Sequence, residues 1–73
     1  MNGWKALEAL YNGRVIRRAR WATTKTMYNR CWQMSDFDGQ RSIAVLKDGQ
    51  VVGDATRGGL TMLLNNDDWE IVI

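Results

Sequence analysis

Apolar side chains recur at three- and four-residue spacing at the start of the chain, at Trp4, Leu7, Leu10 and Tyr11, flanked by Ala6 and Ala9. That period predicts an amphipathic helix over about residues 3–11, with Lys5, Glu8 and Asn12 on its wet side. Asn2 is placed to cap it, and Gly13 after Asn12 to stop it. The period then shortens to two. Residues 14–20 predict a strand in which Ile16 faces inward between arginines, as on a sheet edge. Residues 27–34 predict a second strand, with Tyr28, Arg30, Trp32 and Met34 on one face and Met27, Asn29, Cys31 and Gln33 on the other. Ser35 to Gln40 is a turn signalled by Asp38-Gly39. Residues 43–47 and 50–52 flank Asp48-Gly49, the pair a two-residue type I′ hairpin prefers, which would set Leu46 opposite Val51 and Val45 opposite Val52. Thr56 to Gly59 is a loop. Leu60, Met62, Leu63 and Leu64 predict a short helix stopped at Asn65-Asn66, and Trp69 to Ile73 alternates as a closing strand. The expected fold class is α+β: an N-terminal helix packed on a small antiparallel sheet, in the order α-β-β-β-β-α-β, as one domain over residues 1–73.

Composition adds a stability problem. A chain of 73 residues buries only about 60% of the surface its unfolded form exposes. Domains this small usually gain stability from disulfides, a metal or self-association. Cys31 is the only cysteine and there is no histidine, so neither an intrachain disulfide nor a structural zinc site is available. Four tryptophans, Trp4, Trp21, Trp32 and Trp69, supply more aromatic surface than so short a chain easily covers. A homo-oligomer, dimer or tetramer, is expected. The lone thiol fits a reducing compartment. Met1 to Tyr11 does not read as a signal peptide, and no stretch approaches the roughly 20 apolar residues of a membrane span. The expected location is the cytoplasm, with no membrane partner.

Charge is uneven although the net is only +2. Residues 1–35 hold seven basic groups against Glu8, or +6, and residues 36–73 hold three against seven carboxylates, or −4. One half would face an anionic partner while the other is solvated or pairs with it.

The inventory of reactive groups argues for binding rather than catalysis. Without histidine, Ser/His/Asp and Cys/His nucleophile systems are absent. Cys31 sits in mid-strand with no activating base and reads as a small buried hydrophobe. The pairs Asp36/Asp38 and Asp67/Asp68 border a turn and a strand, where aspartate commonly caps backbone. Gly58-Gly59 lacks the Gly-Lys-Ser/Thr sequel of a phosphate loop. No catalytic residue, metal site or cofactor is expected. The strongest functional signal is the basic, aromatic-interleaved stretch from Arg14 to Trp32. Guanidinium groups grip phosphates and aromatic faces stack on bases. The ordinary alternative is a sheet whose edge is solvated by arginines and whose Trp and Tyr lie in the core.

These residues resemble a family of short phage proteins, the second family of Thoeris anti-defence proteins, which also includes a type II anti-CRISPR. The resemblance is carried by Ala6-Leu7-Glu8-Ala9-Leu10, Gly13-Arg14-Val15, Arg17 or Arg18, Trp21, Met27-Tyr28, Ile43 to Val52, and Asp68-Trp69-Glu70-Ile71-Val72, in the family's order. It implies a helix on an antiparallel sheet, self-association, and capture of cyclic ADP-ribose isomers or cyclic dinucleotides without cleavage. Residues 21–27 stand where the family has WNGKGM, and residues 54–61 replace its WLASQTD; those two segments would line the ligand pocket. On this basis Trp21 and Tyr28 would stack on a base. Arg18, Lys25 and Arg57 would neutralise phosphates, and Asp54 or Thr56 would hydrogen-bond a ribose hydroxyl. Trp21 is the sharpest of these expectations, since it follows three arginines and precedes a polar loop, although a core role is the ordinary one for tryptophan. The alternative function is an inhibitor that docks on a host defence protein, such as a CRISPR effector, and blocks its nucleic-acid-binding or active site. Direct nucleic-acid binding is disfavoured by the modest net charge.

Overall fold

The computed structural model describes the backbone of residues 1–73 and every side chain except that of Phe37. Helix α1 (Gly3–Tyr11) starts and stops where the sequence places it. Asn2 Oδ1 accepts the Lys5 N–H at 2.9 Å. At the other end Gly13 adopts φ +78°. Its N–H bonds to the Leu10 carbonyl while Arg14 N–H bonds to Ala9, the two bonds of a Schellman stop. The buried face differs from the expected stripe. Gly3, Ala6, Ala9 and Leu10 point inward, whereas Trp4 is 69% and Tyr11 57% exposed. The cause is the close approach of the second helix, α2 (Thr56–Leu64). A β-carbon on Gly3 would overlap the Leu63 carbonyl oxygen and lie 2.9 Å from Leu64 Cα. Only the small-residue face of α1 fits that contact, so the large aromatics turn outward.

Five strands form one antiparallel sheet in the order β4-β3-β2-β1-β5: β1 (Ile16–Arg18), β2 (Arg30–Phe37), β3 (Gln40–Lys47), β4 (Gln50–Asp54) and β5 (Trp69–Ile71). The chain order is the expected α-β-β-β-β-α-β, with two one-turn 3₁₀ helices (Ala19–Ala22 and Lys25–Met27) between β1 and β2. Those turns shorten the first strand and start the second at Arg30 rather than Met27. β2 also runs into the expected turn segment, as far as Phe37. Asp38 and Gly39 both take positive φ, 52° and 76°, and close a two-residue turn with Phe37 opposite Gln40. Asp48 and Gly49 repeat the device with φ of 53° and 82°, as type I′ turns require. Leu46 pairs with Val51 as expected, but Val45 faces Gly53 because a bulge between Val45 and Leu46 shifts the register. In α2, Arg57 and Gly58 are non-helical, so the regular turn covers 59–64.

The helices cover one face of the sheet. Between them and the strands lies a cluster of Trp21, Trp32 and Trp69, with ring centroids 5.2–5.6 Å apart. Leu10, Ile16 and Leu63 are fully buried beside it. Trp69 Nε1 donates to the Leu63 carbonyl at 3.2 Å, so the one polar atom of that ring is satisfied. Trp21 is 4% exposed, which corrects its expected place facing a ligand. The 3₁₀ turn after Arg18 rolls the ring inward, where tilted and edge-on packing against two other indoles is more favourable than exposure to water. At the β5 edge the Met1 amino group donates to the Trp69 carbonyl at 2.7 Å. Among the described residues no helix is long and apolar enough to cross a membrane.

Candidate ligand groove on the open face of the sheet

Strand register decides which side chains share the uncovered face. Ser35 lies opposite Ser42, Gln33 opposite Ala44, and Cys31 opposite Leu46, all on the side away from Trp32 and Ile43. Beside them β4 places Asp54 opposite Ala44. The result is an open groove of about 580 Å³ bordered by Ser35, Gln40, Arg41, Ser42, Ala44, Val51, Gly53, Asp54 and Thr56. Its volume falls in the range of small-molecule sites.

The polar lip of the groove is rigidly built. Thr56 N–H donates to Asp54 Oδ1 at 2.7 Å, an Asx turn that leads the chain out of β4. Thr56 Oγ1 accepts the Ile43 N–H at 2.9 Å, and Ala55 N–H bonds to the Ile43 carbonyl. These contacts extend the ladder of β3 beyond the end of β4. The backbone N–H and then the hydroxyl of Thr56 hold the Asp54 carboxyl below the usual carboxylate range. Asp54 is therefore an ionised, fixed acceptor at neutral pH, suited to a sugar hydroxyl. Arg41 alternates with Ser42 and so turns to the helix side of the sheet. Its guanidinium sits 3.8 Å from Asp36 and 5.3 Å from the Tyr11 ring centroid, and Arg41 borders the groove only at its rim.

Of the seven residues expected to bind, only Asp54 and Thr56 border this groove. Trp21 is in the core. Arg18 is 15% exposed with Nε 2.8 Å from Asp68 Oδ1, and Arg17 Nε lies 2.6 Å from Glu70 Oε1. The basic half of the chain thus meets the acidic half, and two of its arginines balance carboxylates rather than await phosphates. Lys25 and Tyr28 are exposed on the loop before β2. Asn29, next to Tyr28, donates to Asp48 at 3.0 Å, at the far end of β3 from Asp54. Arg57 is exposed at the kink of α2. Sequence reasoning missed Ser35, Gln40, Arg41 and Ser42. Their polar character on both sides of Asp38-Gly39 was visible, but that Ser35, Gln40 and Ser42 share a face, with Arg41 on the opposite one, follows only from the two-residue turn.

A second groove of about 300 Å³ on the same face includes Arg17, Cys31, Leu46 and Val72. Burial pushes the Cys31 thiol up, against a smaller opposing effect of Arg17, so the sulfur stays protonated and is a poor nucleophile at neutral pH. Among the described residues no cluster of three or more His, Cys, Asp and Glu side chains is placed to hold a metal ion. No family model, curated protein or solved structure matches the chain.

Proposed function

We propose that the chain is an anti-defence protein of phage type that sequesters a small anionic nucleotide signal, a cyclic ADP-ribose isomer or cyclic dinucleotide, without cleaving it. The observation that carries this is the Asp54–Thr56 lip over a groove of about 580 Å³. A ribose hydroxyl donates to the Asp54 carboxylate, and a phosphate at the rim of the sheet meets the Arg41 guanidinium once it swings off the Tyr11 ring. The hydroxyls of Ser35 and Ser42 complete a polar wall for sugar oxygens. The resemblance of Ala6 to Leu10, Ile43 to Val52 and Asp68 to Val72 to the Thoeris anti-defence family supports the same conclusion, with Asp54 and Thr56 in the segment that resemblance assigns to the pocket. Sequestration asks only for tight, selective binding, which fits a groove of fixed hydrogen-bonding groups.

The test is thermal melting against a panel of cyclic dinucleotides and ADP-ribose isomers. A ligand at 100 times its dissociation constant adds about 2.7 kcal/mol, which moves the midpoint of so small a domain by roughly 10–20 °C. Asp54→Asn keeps the shape of the lip and removes its charge, so it should cancel most of the shift. A silent panel, or a shift that Asp54→Asn leaves intact, contradicts the proposal.

A further inference from the structure

The outer surface of the two helices is apolar in a way the fold does not use. On α1, Trp4, Leu7 and Tyr11 stand at i, i+3 and i+7, one stripe of the helix. On α2, Leu60 and Leu64 stand at i and i+4. Trp4 is 69%, Tyr11 57%, Leu60 51% and Leu64 41% exposed, while Leu7 is half-buried between them. The five form one ridge. Trp4 and Leu64 share a cleft with Gly3, Leu7, Tyr11 and Leu60 share the next, and the Gly3 contact with Leu63 holds the helices together. An aromatic side chain carries about 150–250 Å², so Trp4 and Tyr11 alone leave roughly 250 Å² open. With the leucines the patch reaches the order of 400 Å², within the range at which an exposed apolar patch on a monomer marks an interaction site.

We infer that this ridge is the contact surface for a second copy of the chain, with the two α1 helices antiparallel about a two-fold axis beside Leu7. A two-fold contact must be self-complementary, and the stripe is. An axis at that point sets Trp4 opposite Tyr11 of the partner subunit, and Tyr11 opposite the partner's Trp4. Lys5 and Glu8, the only charged residues of α1, flank the stripe one turn apart. The same axis brings Lys5 toward Glu8 of the partner subunit, twice by symmetry. Two such patches with their polar rims bury on the order of 1,000 Å² or more, the scale of a specific interface. The interface also supplies the apolar burial that a core of this size lacks. The competing place for self-pairing is the β4 edge, where Val51 is 67% and Val52 51% exposed.

Sedimentation equilibrium of the full chain across the micromolar range distinguishes these surfaces. The parent should be dimeric. Trp4→Glu, at a site too exposed to disturb the core, should weaken association at least tenfold with unchanged circular dichroism. Lys5→Glu and Glu8→Lys should each weaken it, and the double exchange should restore it. Val52→Lys on the β4 edge should leave it unchanged. A parent that is monomeric throughout the range overturns the inference. So does a dimer indifferent to Trp4→Glu, single charge exchanges without effect, or a dimer that dissociates with Val52→Lys. Ligand capture by the groove is measured separately and does not enter this test.

Discussion

Gly3→Ala is a substitution on which local and tertiary physics give opposite signs. Alanine in a helix is favoured over glycine by about 0.5–1 kcal/mol, so helix propensity alone raises stability. The packing says otherwise. The added methyl would overlap the Leu63 carbonyl oxygen and stand 2.6 Å from its carbon and 2.9 Å from Leu64 Cα. These are backbone atoms and cannot rotate aside, so α2 must slide away from α1. That movement opens the layer in which Ala6, Leu10 and Leu63 are fully buried. Overpacking of this kind costs typically 1–3 kcal/mol, which exceeds the propensity gain. A net loss of about 1–2 kcal/mol lowers the melting midpoint by roughly 4–16 °C for a domain of this size. Thermal denaturation followed by far-UV circular dichroism reads the shift directly. An alanine variant that melts at or above the parent would show that the helices do not meet through Gly3.

Three further outcomes follow from other parts of the molecule. Trp21→Ala removes one of three packed indoles, a truncation that costs about 3–5 kcal/mol, and thermal melting should show it unfolded or lowered by more than about 12 °C; a midpoint within two or three degrees of the parent would place the ring outside the core. Gly49→Val meets no steric neighbour, since nothing lies within 4 Å of its added β-carbon. Its cost is the left-handed φ of +82° alone, about 1–2 kcal/mol, while Gly49→Asn should lose less, both read by denaturant titration. Asp54 and Asp68 have carboxyls held below the ordinary range, Asp54 by Thr56 and Asp68 first by its hydrogen bond from Arg18. A depressed folded-state value stabilises above the unfolded value and is lost on acidification. The melting midpoint should therefore be level above about pH 5 and fall below it, and Asp68→Asn should flatten part of that fall; a midpoint that rises on acidification would contradict the pairing.

The parts of this fold that were legible in the sequence are those held by contacts a few residues apart. The Asn2 cap, the Gly13 stop and the Asp48-Gly49 turn depend on dihedral preferences within one segment, and each stands where the sequence put it. What depended on distant partners was not legible. Trp4 and Trp21 exchange their expected surroundings because Gly3 presses α1 against α2 and a 3₁₀ turn rolls Trp21 under the helices. Neither choice can be read without the distant partner, α2 for Gly3 and the other two indoles for Trp21. Arg18 finds Asp68 fifty residues away, and only the opposed charges of the two halves of the chain hinted at it. The bulge between Val45 and Leu46 displaces Val52 by one place, a shift invisible in an alternating pattern. The groove was half legible. Asp54 and Thr56 were marked, while its Ser35 and Ser42 wall emerged once Phe37 and Gln40 were known to close the hairpin.

Capture without chemical change is tested most directly by mass balance. A ligand from the panel that raises the melting midpoint is incubated with excess protein, and the free ligand is measured by chromatography after ultrafiltration. The protein is then heat-denatured and the released ligand measured again. The free pool should fall in proportion to added protein and return intact on denaturation, and Asp54→Asn should leave most of it free. A free pool that never falls, or a released compound that is cleaved or isomerised, would contradict sequestration by this groove.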